Sequence, residues 1–139
     1  MRELLVDTNV VSELMKPRPD PVVIDFMRVA MDAWYSVITI EELRFGVVAA
    51  NASRKRDEAE AALERFRVFH SARLLLVTEE IANRSGYLRA NEKRAGRVLW
   101  LADSLIAATA ITYNLVLVTR NTKDFSGLGV HLIDPWKRR

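Results

Sequence analysis

The segment LVLVT, residues 115–119, is apolar at four consecutive positions before it ends on a hydroxyl. A strand with one wet face alternates apolar and polar residues, so a strand with no polar face must be covered on both sides, as in a parallel sheet packed between helices. That requirement selects an α/β fold in which other short apolar runs alternate with helical stretches. Leu4 to Val6 is such a run, and Val10 to Met15 follow with apolar residues at helical spacing. KPRPDP, Lys16 to Pro21, cannot be helix interior because proline lacks an amide donor and restricts the residue before it. Asp20 can cap a second helix with Pro21 at its first position, predicted to run to about Asp32.

The aromatic and β-branched residues of AWYSVITIEEL predict a second strand, with Thr39 a candidate cap for the next helix and Glu42 in that helix's first turn. Ser53 to His70 places Ala59, Ala62, Leu63, Phe66 and Phe69 or His70 on one face, a long amphipathic helix. RLLLV, Arg73 to Val77, predicts a third strand, and Thr78 with Glu79 and Glu80 opens a helix towards Arg94 that Gly96 ends. Asp103 leads SLIAATAITYN, a helix suited to burial against the sheet and closing near Asn114. VHLID, Val130 to Asp134, is a weaker fifth strand. No repeat or linker divides the chain, so residues 1–139 are read as one domain, large enough for a core without disulfides.

With no cysteine, thiolate catalysis, disulfides and Cys-based zinc or iron–sulfur sites drop out, and a reducing, cytoplasmic setting suits the chain. No apolar stretch approaches the roughly 20 residues of a membrane span, and the N-terminus lacks a basic region ahead of an apolar segment, so a soluble, unprocessed protein is expected. A net charge of +3 and a pI near 9.5 favour an anionic partner. Arg84, Arg89, Lys93, Arg94 and Arg97 gather ahead of Asp103, either as a surface that attracts a phosphate backbone or as a solvated helix face. The terminal KRR is expected to be a surface tail.

Four acids stand at element ends. Asp7 closes the first strand, Glu42 lies just beyond the second, Asp103 heads the buried helix, and Asp124 follows LVLVT in VTRNTKDF. In an open parallel sheet these positions converge at the carboxyl edge, where such folds place ligand sites. Each acid alone could simply cap or favour a helix start. Together they would raise one another's pKa unless a cation neutralised them. Oxygen-only ligands suit a hard ion, Mg2+ or Mn2+, while His70 and His131 read as structural or surface residues. Such an ion activates a water and stabilises charge on a phosphodiester, so phosphodiester hydrolysis is the expected chemistry. Arg120, beside these acids, is a candidate for binding a substrate phosphate.

LLVDTNVVSELMK, SVITIEELRFG, LADSLIAATA and LVTRNTKDF, in this order, resemble the signature blocks of PIN-domain ribonucleases, most of all the VapC and FitB toxins of bacterial toxin–antitoxin pairs. The resemblance runs essentially the length of the chain, down to DPW. It implies a PIN-like three-layer α/β/α sandwich around a mainly parallel sheet of four to five strands. It also implies a magnesium- or manganese-dependent endoribonuclease toxin that hydrolyses RNA by metal-activated water. The implied partners are a small cognate antitoxin, operator DNA reached only through that antitoxin, and a second copy in a homodimer.

The resemblance implies that Asp7, Glu42 and Asp103 are the acidic metal ligands. Glu42 is preferred to Glu41 because the family's acid directly precedes the leucine, here Leu43. Some relatives carry aspartate directly after the TR pair, where this chain has Asn121, and Asp124 is the acid available instead. Thr119 resembles the family's small hydroxyl residue, which holds a water or phosphate or serves the strand end structurally. In the family the helices after the first two strands form a groove for the antitoxin, which VVSELM and LRFGVVAA could supply. Phe45, Val47 and Val48 are nevertheless expected in the core, and Trp34, Trp100 and Trp136 as packing residues. Two other readings compete. One is a catalytically silent PIN-like binding module that partners an antitoxin and DNA, against which the retained acids argue. The other is a phosphate-accepting receiver domain, which needs paired acids after the first strand and a late lysine where this chain has Arg120.

Overall fold

The computed structural model describes residues 2–137, so the last two residues of the terminal KRR lie outside the described residues. Five strands, β1 (Leu4–Val6), β2 (Trp34–Ser36), β3 (Leu74–Leu75), β4 (Val116–Val118) and β5 (Leu132–Ile133), form one sheet in the order β3-β2-β1-β4-β5. Every pairing is parallel, with Val6 opposite both Tyr35 and Val118. The described residues also form α1 (Thr8–Leu14), α2 (Pro21–Val29), α3 (Val37–Ala49), α4 (Arg54–Phe69), α5 (Glu79–Arg94), α6 (Leu101–Thr112) and α7 (Thr122–Phe125).

Side chains that alternate along each strand divide the core in two. Leu4, Val6, Tyr35, Leu74 and Val118 face α1 to α4, packing with Val10, Val23, Leu43, Val47 and Leu63. Leu5, Trp34, Leu75, Leu117 and Leu132 face the other way, onto Ile106, Ala107 and Ala110 of α6, Leu88 of α5 and Phe125 of α7. The sheet is thus a middle layer between helices, and the full burial of Leu117 and Val118 on opposite faces is the double coverage that LVLVT demands.

Helix ends follow local chemistry. Asp20, Ser53 and Thr78 each accept a hydrogen bond from a first-turn amide, and Pro21 occupies the first position of α2. Gly96 follows α5 with φ +79 and Asn114 follows α6 with φ 54, left-handed positions that end both helices.

Several elements differ from the sequence expectation. Helix α2 stops at Val29 rather than near Asp32, because residues 31–32 turn the chain into β2. Ser36, not Thr39, caps α3, accepting from the Ile38 amide at 3.0 Å. The β-branched run VITI is therefore helical, its strand propensity overridden by packing of Ile38 and Ile40 on the two core clusters. Glu42 is accordingly in the second turn of α3 rather than its first. Strands β3 and β5 keep only two paired residues each, as befits sheet edges. Phe45, Val48 and Trp100 are 70%, 52% and 72% exposed, against the expectation that they pack internally. Val47 is buried, Trp34 and Trp136 pack against the two cores, and the His70 ring stacks among Tyr35, Phe66 and Phe69.

Candidate active site

After β1 the chain builds β2 and β3 on one side and then returns to place β4 on the other side of β1. The loops leaving β1 and β4 therefore diverge at their carboxyl ends, the switch point where sheets of this kind place a ligand crevice. Asp7 and Thr119, the residues directly after these two strands, face each other across it. The Asp7 amide donates to Val118 O at 2.9 Å, and the Thr119 hydroxyl donates to Asp7 Oδ2 at 2.8 Å.

Asp7 is the cap its position suggested, and its second oxygen is held as well. Its Oδ1 accepts from the Thr8 amide at 2.8 Å, capping α1, while its Oδ2 is fixed by Thr119 and by Asn9 Nδ2 at 3.1 Å. Asn9 ties the whole crevice together: Nδ2 also donates to Thr119 Oγ1 at 3.1 Å, and Oδ1 accepts from the Arg120 amide at 3.2 Å. The Asn121 amide donates to Thr119 Oγ1 at 3.0 Å. Thr119 is fully buried, so in this arrangement its hydroxyl orients Asp7.

Glu42 is half-buried on α3 and accepts from Thr8 Oγ1 at 2.6 Å. Asp103, third residue of α6, is half-buried, and Asp124 is exposed on α7. Burial first, then the fields of Asp7, Glu42 and Asp124, pushes the Asp103 carboxyl up to about 6. Burial likewise raises Asp7, with Glu42 adding to the rise, against the hydrogen bonds from Thr119, Thr8 and Asn9 that lower it. The four predicted acids thus share one electrostatic neighbourhood. Among the described residues no ion pair involves any of them.

Neighbouring carboxylates without cationic partners among the described residues, all oxygen donors, fit the chemistry of a hard divalent ion. Among the described residues no three acidic or imidazole side chains already stand together as a ligand set, so ligation would require these side chains to turn towards one another.

The predicted basic residues are distributed differently. The exposed Arg120 guanidinium lies 4.8 Å over the Trp136 ring and helps hold Glu13 ionised, turning towards the chain end. Arg97 pairs with Glu92 at 2.7 Å and Arg84 with Glu80 at 3.7 Å, while Arg94 bonds Asn91. Arg89 Nε donates to Leu99 O at 3.3 Å, tethering α5 to the segment that enters α6. Arg89, Lys93 and Arg97 line a surface pocket of about 450 Å³.

Sequence reasoning missed the place of Thr39 beside the acids, and it missed a buried acid that serves the fold rather than the site. Thr39, taken for a cap, is fully buried with its hydroxyl 2.9 Å from that of Thr8. Glu13 is a second buried acid on α1, and a lysine three residues on, Lys16, was its only signal.

The family profile described as PIN domain matches residues 4–129 of this chain. The VapC ribonuclease Y4jK of Sinorhizobium fredii is 36% identical over 137 residues, covering 96% of this chain and 98% of that protein. Toxin FitB of Neisseria gonorrhoeae is 32% identical over 136 residues, covering 96% and 98%. The solved structure of FitAB bound to an IR36 DNA fragment superimposes with a TM-score of 0.87 at 29% identity, covering 98% of this chain and 97% of that one. With the family model matched over most of the chain and relatives matched along nearly their full length, this chain belongs to the PIN-domain family.

Proposed function

We propose that this protein is a divalent-metal-dependent endoribonuclease of the VapC and FitB toxin type, restrained by a small antitoxin. The observation that carries this reading is that Asp7, Glu42 and Asp124 all act on the carboxyl of Asp103, near the sheet's switch point, with no cationic side chain paired to any of the four among the described residues. The ribonuclease and toxin names of the two relatives support the choice of RNA as substrate and of a toxin–antitoxin setting. Asp7, Glu42, Asp103 and Asp124 would hold magnesium or manganese, which when bound would supply an activated water and neutralise phosphodiester charge.

The side chains prepare for that role in distinct ways. Asp7 is held by three neutral donors and so presents its carboxyl in a fixed orientation. Asp103, at about 6, keeps a proton on its carboxyl in mildly acidic solution and gives it up when a positive charge arrives. The pocket of Arg89, Lys93 and Arg97 offers positive charge to the nucleic-acid backbone near the start of α6.

A groove of about 560 Å³ between α1, α3 and α4 reaches Glu42 and is bordered by Met15, Leu43, Val47 and Ala59, which suits an antitoxin segment. The relative's assembly as FitAB on DNA supports such a partner, with operator DNA engaged through it. Exposed Phe45, Val48, Trp100 and Leu101 are apolar surface that pairing of two copies would cover. The test is RNA cleavage by the purified protein in Mg2+ or Mn2+, with chelator and with Asp7→Asn. Loss of cleavage in both controls is expected, and wild-type cleavage by Asp7→Asn would overturn the proposal.

A further inference from the structure

Thr8 holds two of the four acids at once. Its amide donates to Asp7 Oδ1 at 2.8 Å, and its hydroxyl donates to Glu42 Oε1 at 2.6 Å. A hydroxyl has one hydrogen, and a carboxylate oxygen can only accept, so that hydrogen is committed to Glu42. The contact between Thr8 Oγ1 and Thr39 Oγ1 at 2.9 Å must then be donated by Thr39. Thr39 is 0% exposed, so water does not compete for its hydroxyl. The result is a directed chain, Thr39 to Thr8 to Glu42, in which each donor polarises the next. Thr39 and Glu42 lie three residues apart on one face of α3, while Thr8 opens α1, so the chain also clamps the two helices at the crevice.

We propose that Thr39, acting through Thr8, fixes the Glu42 carboxylate at a set spacing from Asp7 and is thereby a positioning residue for divalent-cation binding. This rests on the metal-site reading above. Loss of an outer hydrogen-bond partner typically weakens metal affinity by 10–100-fold, and an effect of about that size is expected for Thr39→Val. Thr39→Ser keeps the donor and should bind as the wild type does.

The experiment is calorimetric titration of the full chain with Mn2+, with thermal melting of each variant in the absence of metal. Where Thr39→Val does not fold, Thr39→Ala removes the same hydroxyl, and Thr8→Val, which keeps the amide bond to Asp7 at a half-buried position, tests the link to Glu42 itself. Weakened binding in the valine variants with restoration in Thr39→Ser supports the proposal. Wild-type affinity in a folded valine variant, with only a lowered melting temperature, reduces the threonines to helix packing and overturns it. No Mn2+ binding by the wild type overturns the metal-site reading itself, a result distinct from the previous one.

Discussion

Helix α1 carries a buried acid at each end, and the fold treats them in opposite ways. Asp7 at the cap is 4% exposed and Glu13 in the last turn is 7% exposed. Burial raises the Asp7 carboxyl above its ordinary range, with Glu42 adding to the rise. Glu13 is held below its ordinary range, first by the hydrogen bond from Lys16, then by the Asp20 amide. Lys16 Nζ reaches Oε1 at 2.9 Å and the Asp20 amide reaches Oε2 at 3.0 Å, so Glu13 is neutralised and closes the loop that follows α1. Asp7 receives neutral donors that fix its direction but bring no opposite charge to it. Low exposure alone therefore distinguishes nothing. Deep burial raises Asp7, whereas Glu13 lies shallower and is neutralised by its partners, which separates an acid poised for an external cation from one that serves the fold.

The comparison breaks most visibly by exchange of consequences. Asp7→Asn should abolish RNA cleavage, exceeding the 10–100-fold loss typical of an outer partner, while the metal-free protein melts no lower because one repelling charge is gone. Glu13→Ala should do the reverse. It leaves the Asp20 amide without its acceptor and should cost about 1–3 kcal/mol in denaturant titration, with cleavage by the folded protein retained. A Glu13→Ala protein of wild-type stability that no longer cleaves RNA would show that the two acids belong to one site.

Asp7, Glu42 and Asp124 were legible because they follow β1, β2 and β4, whose carboxyl ends parallel topology carries to one edge. Asp103, by contrast, stands at the start of a helix that follows another helix and was legible only as a carboxylate leading an apolar run. The ends of α3 were harder. Ser36 and Thr39 are both good caps, and VITI has strand propensity, so only packing on both core clusters decides that the helix begins at Val37. The same helix explains the misplaced Phe45 and Val48. Thr39, Leu43 and Val47 recur every four residues and define the buried stripe, and the two exposed residues fall off it. Glu13 was illegible because half of its satisfaction comes from a backbone amide, Asp20, which no side-chain pattern reveals.

A smaller effect follows from pH. Asp103 has an ordinary value of 3.8 and stands at about 6 in the fold, so its contribution is fully favourable below 3.8 and is lost as pH rises through 6. Metal-free protein should therefore melt a few degrees higher at pH 5 than at pH 7. Asp103→Asn should flatten that rise, and Mg2+ should stabilise the wild type more at pH 7 than at pH 5, all readable by calorimetric melting. Burial holds the His70 ring below its ordinary range and opposes this rise, so the reading is the difference between wild type and Asp103→Asn. Identical pH profiles of the two would mean that Asp103 is already compensated within the chain.

The smallest effect is expected at Lys16, whose side chain is 60% exposed although its partner is 8% exposed. An ion pair with one end in water contributes about 1 kcal/mol or less, so Lys16→Met should lower stability at pH 7 only slightly. Its pH dependence is the sharper reading. Glu13 has its folded value depressed below the ordinary 4.5, so the stability it contributes is present above 4.5 and is lost as pH falls through the folded value. The gap between wild type and Lys16→Met should accordingly close on acidification, in the same range where protonated Asp103 contributes its full favourable share. A gap that stays constant with pH would show that the lysine acts through its aliphatic stem, leaving the Asp20 amide as the partner that keeps Glu13 ionised.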